Sequence, residues 1–164
     1  MEKVIPRIEN FHGITCVGMR REMSHANNST FALWNMFMPR RKEISDVVHS
    51  NLYSIQRYPS PNFFNNFSLD KLFEKWAAIE VSVVTELPDG MEAITIEKGL
   101  YAVFLYKGIP SEAATFFQYI FSEWLPSSGY LLDDRLHFEV LNEKYKMNDL
   151  NSEEEVWIPI RLLS

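Results

Sequence analysis

Glu139, Glu80, Trp157, Trp76 and Tyr101 are the residues whose types and spacing can do chemistry. All but Tyr101 are placed by alternation of apolar and polar residues, which gives each side chain a defined face of a strand. Over 76–84, Ala77, Ile79, Val81 and Val83 form the apolar set, so Trp76, Ala78, Glu80 and Ser82 point the other way. Over 155–162, Val156, Ile158, Ile160 and Leu162 are apolar, leaving Trp157, Pro159 and Arg161 opposite. Over 137–141, Phe138 and Val140 are expected in the core, with His137, Glu139 and Leu141 opposite. A strand face turned only to water is mostly polar; this one carries two tryptophans beside two carboxylates, the composition of an aromatic-lined ligand site with an acid at its base. A carboxylate held there must gain a cation, gain hydrogen bonds or take up a proton. Each outcome is useful, as a cation site, a donor network or a raised pKa suited to general acid/base work. One ring over a cation contributes about 0.5–2 kcal/mol, so Trp157, Trp76, Tyr101 and one acid suffice for micromolar binding, near −8 kcal/mol. The competing readings are ordinary ones. Glu139 pairs with a nearby Lys or Arg, Glu80 pairs with Arg161, and the rings pack in a core.

Other chemistries find no purchase in the sequence. His12, His25, His49 and His137 show no paired metal-ligand spacing and Cys16 stands alone, so no metal is expected. Gly13 and Gly18 have phosphate-loop separation, but Met19-Arg20 follows where Lys-Ser/Thr is required. No Gly-x-Ser-x-Gly elbow occurs. The acidic run from Asn148 to Glu155 lacks a calcium loop's glycine and ligand spacing and reads as a hairpin loop. Arg40-Arg41-Lys42, with Glu43 and Asp46 close by, reads as a solvated helix flank. No cofactor is expected.

The elements that must position these residues follow from periodicity. The 164 residues suit one domain with a real core, and 46% hydrophobic against 23% charged residues excludes a disordered chain. The net charge of −6 argues against direct nucleic-acid binding, since phosphates recruit clustered Lys and Arg. A single cysteine, no apolar leader and no apolar run of membrane-spanning length predict a cytoplasmic protein. Strands are expected over 12–21, 53–58 and 76–84, with a helix over 30–48 that Pro39 kinks or restarts. Leu33, Trp34, Phe37, Ile44 and Val48 lie near one face of that helix. After the Pro88-Asp89-Gly90 turn the order recurs. Strands are expected over 91–96 and 100–107, a helix over 111–125 between Pro110 and Pro126, and strands over 138–142 and 155–162. The second helix stripe is Ala113, Phe116, Phe117, Ile120, Phe121 and Trp124. The chain therefore reads as strand–helix–strand–strand twice, with pseudo-repeats over about 11–86 and 91–164.

Several motifs carry a resemblance. They are Leu100-Tyr101-Ala102-Val103-Phe104, Lys107-Gly108, Phe117-Gln118-Tyr119-Ile120-Phe121, Glu123-Trp124-Leu125-Pro126, Ser128-Gly129-Tyr130, Phe138-Glu139-Val140 and Trp157-Ile158-Pro159-Ile160. Together they resemble the effector-binding domain of bacterial drug-responsive transcription activators and of stand-alone GyrI-like (DNA gyrase inhibitor-like) proteins. Leu33-Trp34 and Trp76-Ala77-Ala78-Ile79-Glu80-Val81 extend the match more loosely to the N-terminal half. The resemblance implies an α+β fold in which duplicated β-α-β-β modules form one curved antiparallel sheet with two helices and a central ligand cleft. It implies that Glu139 is the acid aimed at cationic drugs, that Trp157 stacks on the ligand, and that the helix bearing Phe116 reaches the cleft in some relatives. It also implies two alternatives to a small-molecule binding role. Some stand-alone relatives hydrolyse cyclopropane-containing toxins with the same glutamate, and others partner DNA gyrase. Two departures stand out: Leu141 replaces the tyrosine that commonly follows Phe-Glu-Val, and nothing before His12 reads as a helix-turn-helix. The expectation is thus a stand-alone binder of cationic or planar aromatic compounds, without membrane or direct DNA contact.

Overall fold

The computed structural model describes residues 4–65, 68–108, 112–142 and 153–163. The first half runs β1 (Arg7–Phe11), β2 (Ile14–Met23), α1 (Thr30–Phe37), β3 (Val47–Arg57) and β4 (Phe73–Val81). The second half runs β5 (Glu92–Ile96), β6 (Gly99–Lys107), α2 (Ala113–Tyr119), β7 (Tyr130–Leu132), β8 (His137–Leu141) and β9 (Glu153–Leu162). α2 continues through a π-turn over Ile120–Trp124 and ends over Leu125–Ser127. Three of these findings differ from expectation. α1 stops at Phe37, because Pro39 lacks the N–H that would extend it, and a 3-10 turn over Met38–Glu43 takes its place. Residues 47 and 48 then begin β3 instead of completing a helix. A separate β1 precedes Gly13, where one strand over 12–21 was expected. Pro110 and Ser111, and positions 148–152 of the expected hairpin loop, lie outside the described residues.

The sheet order is β1-β6-β9-β8-β3-β4-β2-β5, antiparallel at each pairing, with short β7 lying against β9. Only His12 and Gly13 separate β1 from β2, and only Glu97 and Lys98 separate β5 from β6. Yet each pair stands six places apart in the order. In a flat sheet six spacings amount to roughly 29 Å, whereas a two-residue link reaches only about 11 Å. The sheet must therefore curl until its edges come round to one another, and the structure is such a half-barrel. The two links cross at Gly13, whose φ of +88° and 3.2 Å clearance from a Cβ position to the Lys98 nitrogen suit glycine alone.

Curling gives the sheet two buried faces. The inner face holds Ile14, Cys16, Tyr53, Ile55, Trp76, Tyr101, Val103, Phe138 and Trp157, closed at one end by Phe11. The outer face divides under the helices. Leu33 and Phe37 of α1 cover Val17, Met19, Ala77 and Ile79, while Phe116 and Ile120 of α2 cover Ala102, Phe104, Val156 and Ile158. Each fully buried Leu, Ile or Phe side chain in these clusters contributes about 1.5–3 kcal/mol. Among the described residues no helix is long and apolar enough to cross a membrane.

Candidate ligand-binding site

β3 and β8 pair at the centre of the sheet, so their outer faces lie between the two helices and under neither. The register puts Phe138 opposite Trp157 and Glu139 opposite Val156. Cross-strand partners share a face, so Phe138 joins Trp157 inside the curl and Glu139 faces outward with Val156. This reverses the expected facing of β8. The expectation assumed one apolar face per sheet. Here the inner face is also a core, and the polar residues of β8 collect where the helices leave a gap. Ser54, Gln56, His137 and Glu139 all line this gap, and among the described residues Ser24 alone is a buried polar residue elsewhere.

Alternation along β3 turns Ser54 and Gln56 outward while Tyr53 and Ile55 face in. The Gln56 side-chain amide donates to Glu139 Oε2 at 3.3 Å and to Ser54 Oγ at 3.2 Å. Tyr58, just past β3, sets its ring edge-on to His137 with centroids 4.7 Å apart. The chain then turns through a 3-10 segment, Pro61–Phe64, that brings Phe64 flat against Phe121 of the α2 π-turn, 4.0 Å apart and 11° from parallel. These two rings flank His137, with centroids at 5.8 and 6.1 Å. The strip is therefore a polar floor with an aromatic wall at one end.

Its electrostatics follow from burial. Glu139 is 9% exposed, and its hydrogen bond comes from a neutral amide. Among the described residues no ion pair reaches it. Burial, helped by the Arg135 guanidinium, pushes the His137 imidazole down to about 3. Burial pushes the Tyr58 phenol up, and the nearby Glu139 adds to this. On β9, Glu154 is pushed up to about 8 by burial first and by Glu139 second, with Lys75 opposing. An open hollow of about 790 Å³ lies elsewhere, at the end of the curl lined by His12, Ile14, Glu80, Ile96 and Lys98. Glu139 does not line it.

The structure brings neither Trp157, Trp76 nor Tyr101 to the face of Glu139. All three are buried inside the curl. Trp76 Nε1 donates to Glu74 at 2.6 Å, Trp157 Nε1 to Glu155 at 3.2 Å and the Tyr101 hydroxyl to the Leu136 carbonyl at 2.7 Å. Glu80 also lies on that side, held by His49 at 3.0 Å and the Tyr53 hydroxyl at 3.4 Å rather than by Arg161. Phe116 packs under α2 against Phe104 and Tyr106. The residues that do meet Glu139 or wall its strip, namely Ser54, Gln56, Tyr58, His137, Phe64 and Phe121, escaped sequence reasoning as site residues. Ser54 and Gln56 left a signal, two polar residues alternating with Tyr53 and Ile55. Phe64 and Phe121 left none, since only the fold brings them together.

Comparison with known proteins adds a family to this geometry. The chain is 28% identical over 162 residues to the transcriptional regulator BrlR of Pseudomonas aeruginosa. That match takes in 94% of this chain but 57% of BrlR, so the chain spans little more than half of that relative's length. Among solved structures, SAV2435 bound to tetraphenylphosphonium superposes with a TM-score of 0.70 at 14% identity, over 98% of this chain and 94% of that one. The integron cassette protein VCH_CASS2, from the mobile metagenome of Vibrio cholerae, superposes with a TM-score of 0.68 at 14% identity, over 98% and 100% of the two chains. The family model Cass2, integron-associated effector binding protein, matches residues 7–160. With the match running from β1 into β9, the chain belongs to the family of integron-associated effector-binding proteins.

Proposed function

We propose that the effector this chain binds is a lipophilic organic cation, taken up in the strip between α1 and α2 with Glu139 as its counter-charge. The observation that carries this reading is a carboxylate buried to 9% exposure and answered, among the described residues, by an amide instead of an ammonium or guanidinium. A buried charge without an ionic partner is destabilising by several kcal/mol, and a cation placed beside it removes that cost. Tyr58, Phe64 and Phe121 wall the same strip, and each ring that turns its face to a cation adds about 0.5–2 kcal/mol. A related fold that holds tetraphenylphosphonium supports the class of ligand. The action takes place in the cytoplasm and needs no contact of this chain with DNA, in keeping with its charge of −6. The hydrolytic and gyrase-binding alternatives have no geometric feature of their own among the described residues.

Calorimetric titration with tetraphenylphosphonium tests the reading. Glu139→Gln keeps the size and hydrogen-bonding capacity of the side chain and removes its charge, so affinity is expected to fall tenfold or more. Equal affinity in the two proteins would overturn the role of Glu139.

A further inference from the structure

Glu153, Glu154 and Glu155 are consecutive, but their surroundings differ. Glu153 meets Lys107 at 3.1 Å and Glu155 meets Arg7 at 2.9 Å, so both have cationic partners. Glu154, on the opposite face, has no ion pair among the described residues. It stands between Tyr106 of β6 and Leu141 of β8, two positions from Val156, which lies opposite Glu139. Glu139 and Glu154 are thus diagonal neighbours on the outer face, a relation that sets residues roughly 7–8 Å apart. Among the described residues, the charged and titratable groups around Glu154 are Glu139 on β8, Lys75 on β4 and Tyr106 on β6, itself near Glu112 ahead of α2. Of these, one lysine faces two carboxylates.

We propose that Glu154 is the second carboxylate of the cation site, and that the strip takes up an organic cation in exchange for the proton Glu154 carries. The inference rests on the cation-binding reading of Glu139. Without a cation beside it, the half-buried position of Glu154 and then the like charge of Glu139 favour its neutral form and push its pKa up to about 8. An arriving cation stabilises both carboxylates in ionised form. The O–H bond of Glu154 breaks, its electron pair stays on the carboxylate, and the proton leaves to solvent. Binding therefore strengthens with pH up to about 8 and levels off above it. The site then favours permanent cations, such as phosphonium and quaternary ammonium compounds, which keep their charge where Glu154 has lost its proton.

Tetraphenylphosphonium titrations at pH 7, in two buffers of different ionisation enthalpy, count the protons released on binding. Wild type is expected to release close to one proton per cation and to gain more than tenfold in affinity between pH 6 and pH 8. Glu154→Gln is expected to bind with no release and a flat pH profile, while Glu154→Asp restores both. Binding by wild type without proton release, with the tenfold loss in Glu139→Gln intact, would overturn the role of Glu154 and leave that of Glu139 standing. No binding by wild type between pH 6 and pH 9 would remove both.

Discussion

His137 shows how strongly single residues of the strip depend on being buried. Its ring is enclosed by Tyr58, Phe64 and Phe121, and burial together with Arg135 lowers its proton affinity from 6.5 to about 3. Unfolded, the imidazole accepts a proton near pH 6.5; folded, it refuses one until about pH 3. The stability tied to this neutral ring is complete above pH 6.5 and is lost progressively as pH falls toward 3. Urea unfolding of wild type is therefore expected to weaken across that window, and His137→Gln to weaken less steeply. Parallel profiles for the two proteins would show that the ring titrates normally. Glu139 is the complementary case, since its amide partner Gln56 satisfies a lone pair without neutralising the charge. The residue types of the site were partly legible in the sequence. Glu139 stood out as an acid on a strand, whereas Gln56 and Ser54 went unmarked within the strand expected over 53–58.

At the level of elements, alternation sorted β4 and β9 correctly and β8 incorrectly, for one physical reason. Ala77, Ile79 and Val156, Ile158 are small or branched residues that fit beneath α1 and α2, so their phase identifies the helix-covered face. β8 has no helix above it, and its apolar phase, Phe138 and Val140, belongs to the inner core instead. Periodicity marks which residues share a face but does not say what covers that face. Pro39 likewise marked a break in α1, while the start of β3 at Val47 instead of a resumed helix goes with the pairing of Val47 with Val81 of β4. The placement of Trp157 follows from the same register and has a measurable consequence. Its ring stacks on Phe138 at 5.1 Å inside the curl, away from Glu139. Trp157→Leu is expected to lower the free energy of unfolding on the order of 2–4 kcal/mol while changing cation affinity less than threefold. A large loss of affinity with unchanged stability would place the indole at the ligand.

The whole molecule is organised about the β3–β8 pair. The sheet order reads the same from either end when β1, β2, β3 and β4 exchange with β5, β6, β8 and β9. Trp76 and Trp157 occupy matching places, each bonded to the glutamate two residues before it. Ile55 faces Trp76 as Phe138 faces Trp157, which makes Gln56 the counterpart of Glu139 and Ser54 that of His137. The near-symmetric halves thus meet as an amide against a carboxylate, where two glutamates would repel. That repetition was visible in the order of elements, and so was β5, but β1 and the pairing of both edge strands with the opposite half were not, because two-residue links carry no sign of the curl they enforce. The most direct measurement compares methyltriphenylphosphonium with triphenylphosphine oxide, a neutral compound bearing the same three rings, on wild type and on Glu139→Gln. Glu139, buried and without an ionic partner among the described residues, predicts that wild type prefers the cation at least tenfold and that the variant loses most of this preference. An equal preference in both proteins would contradict it.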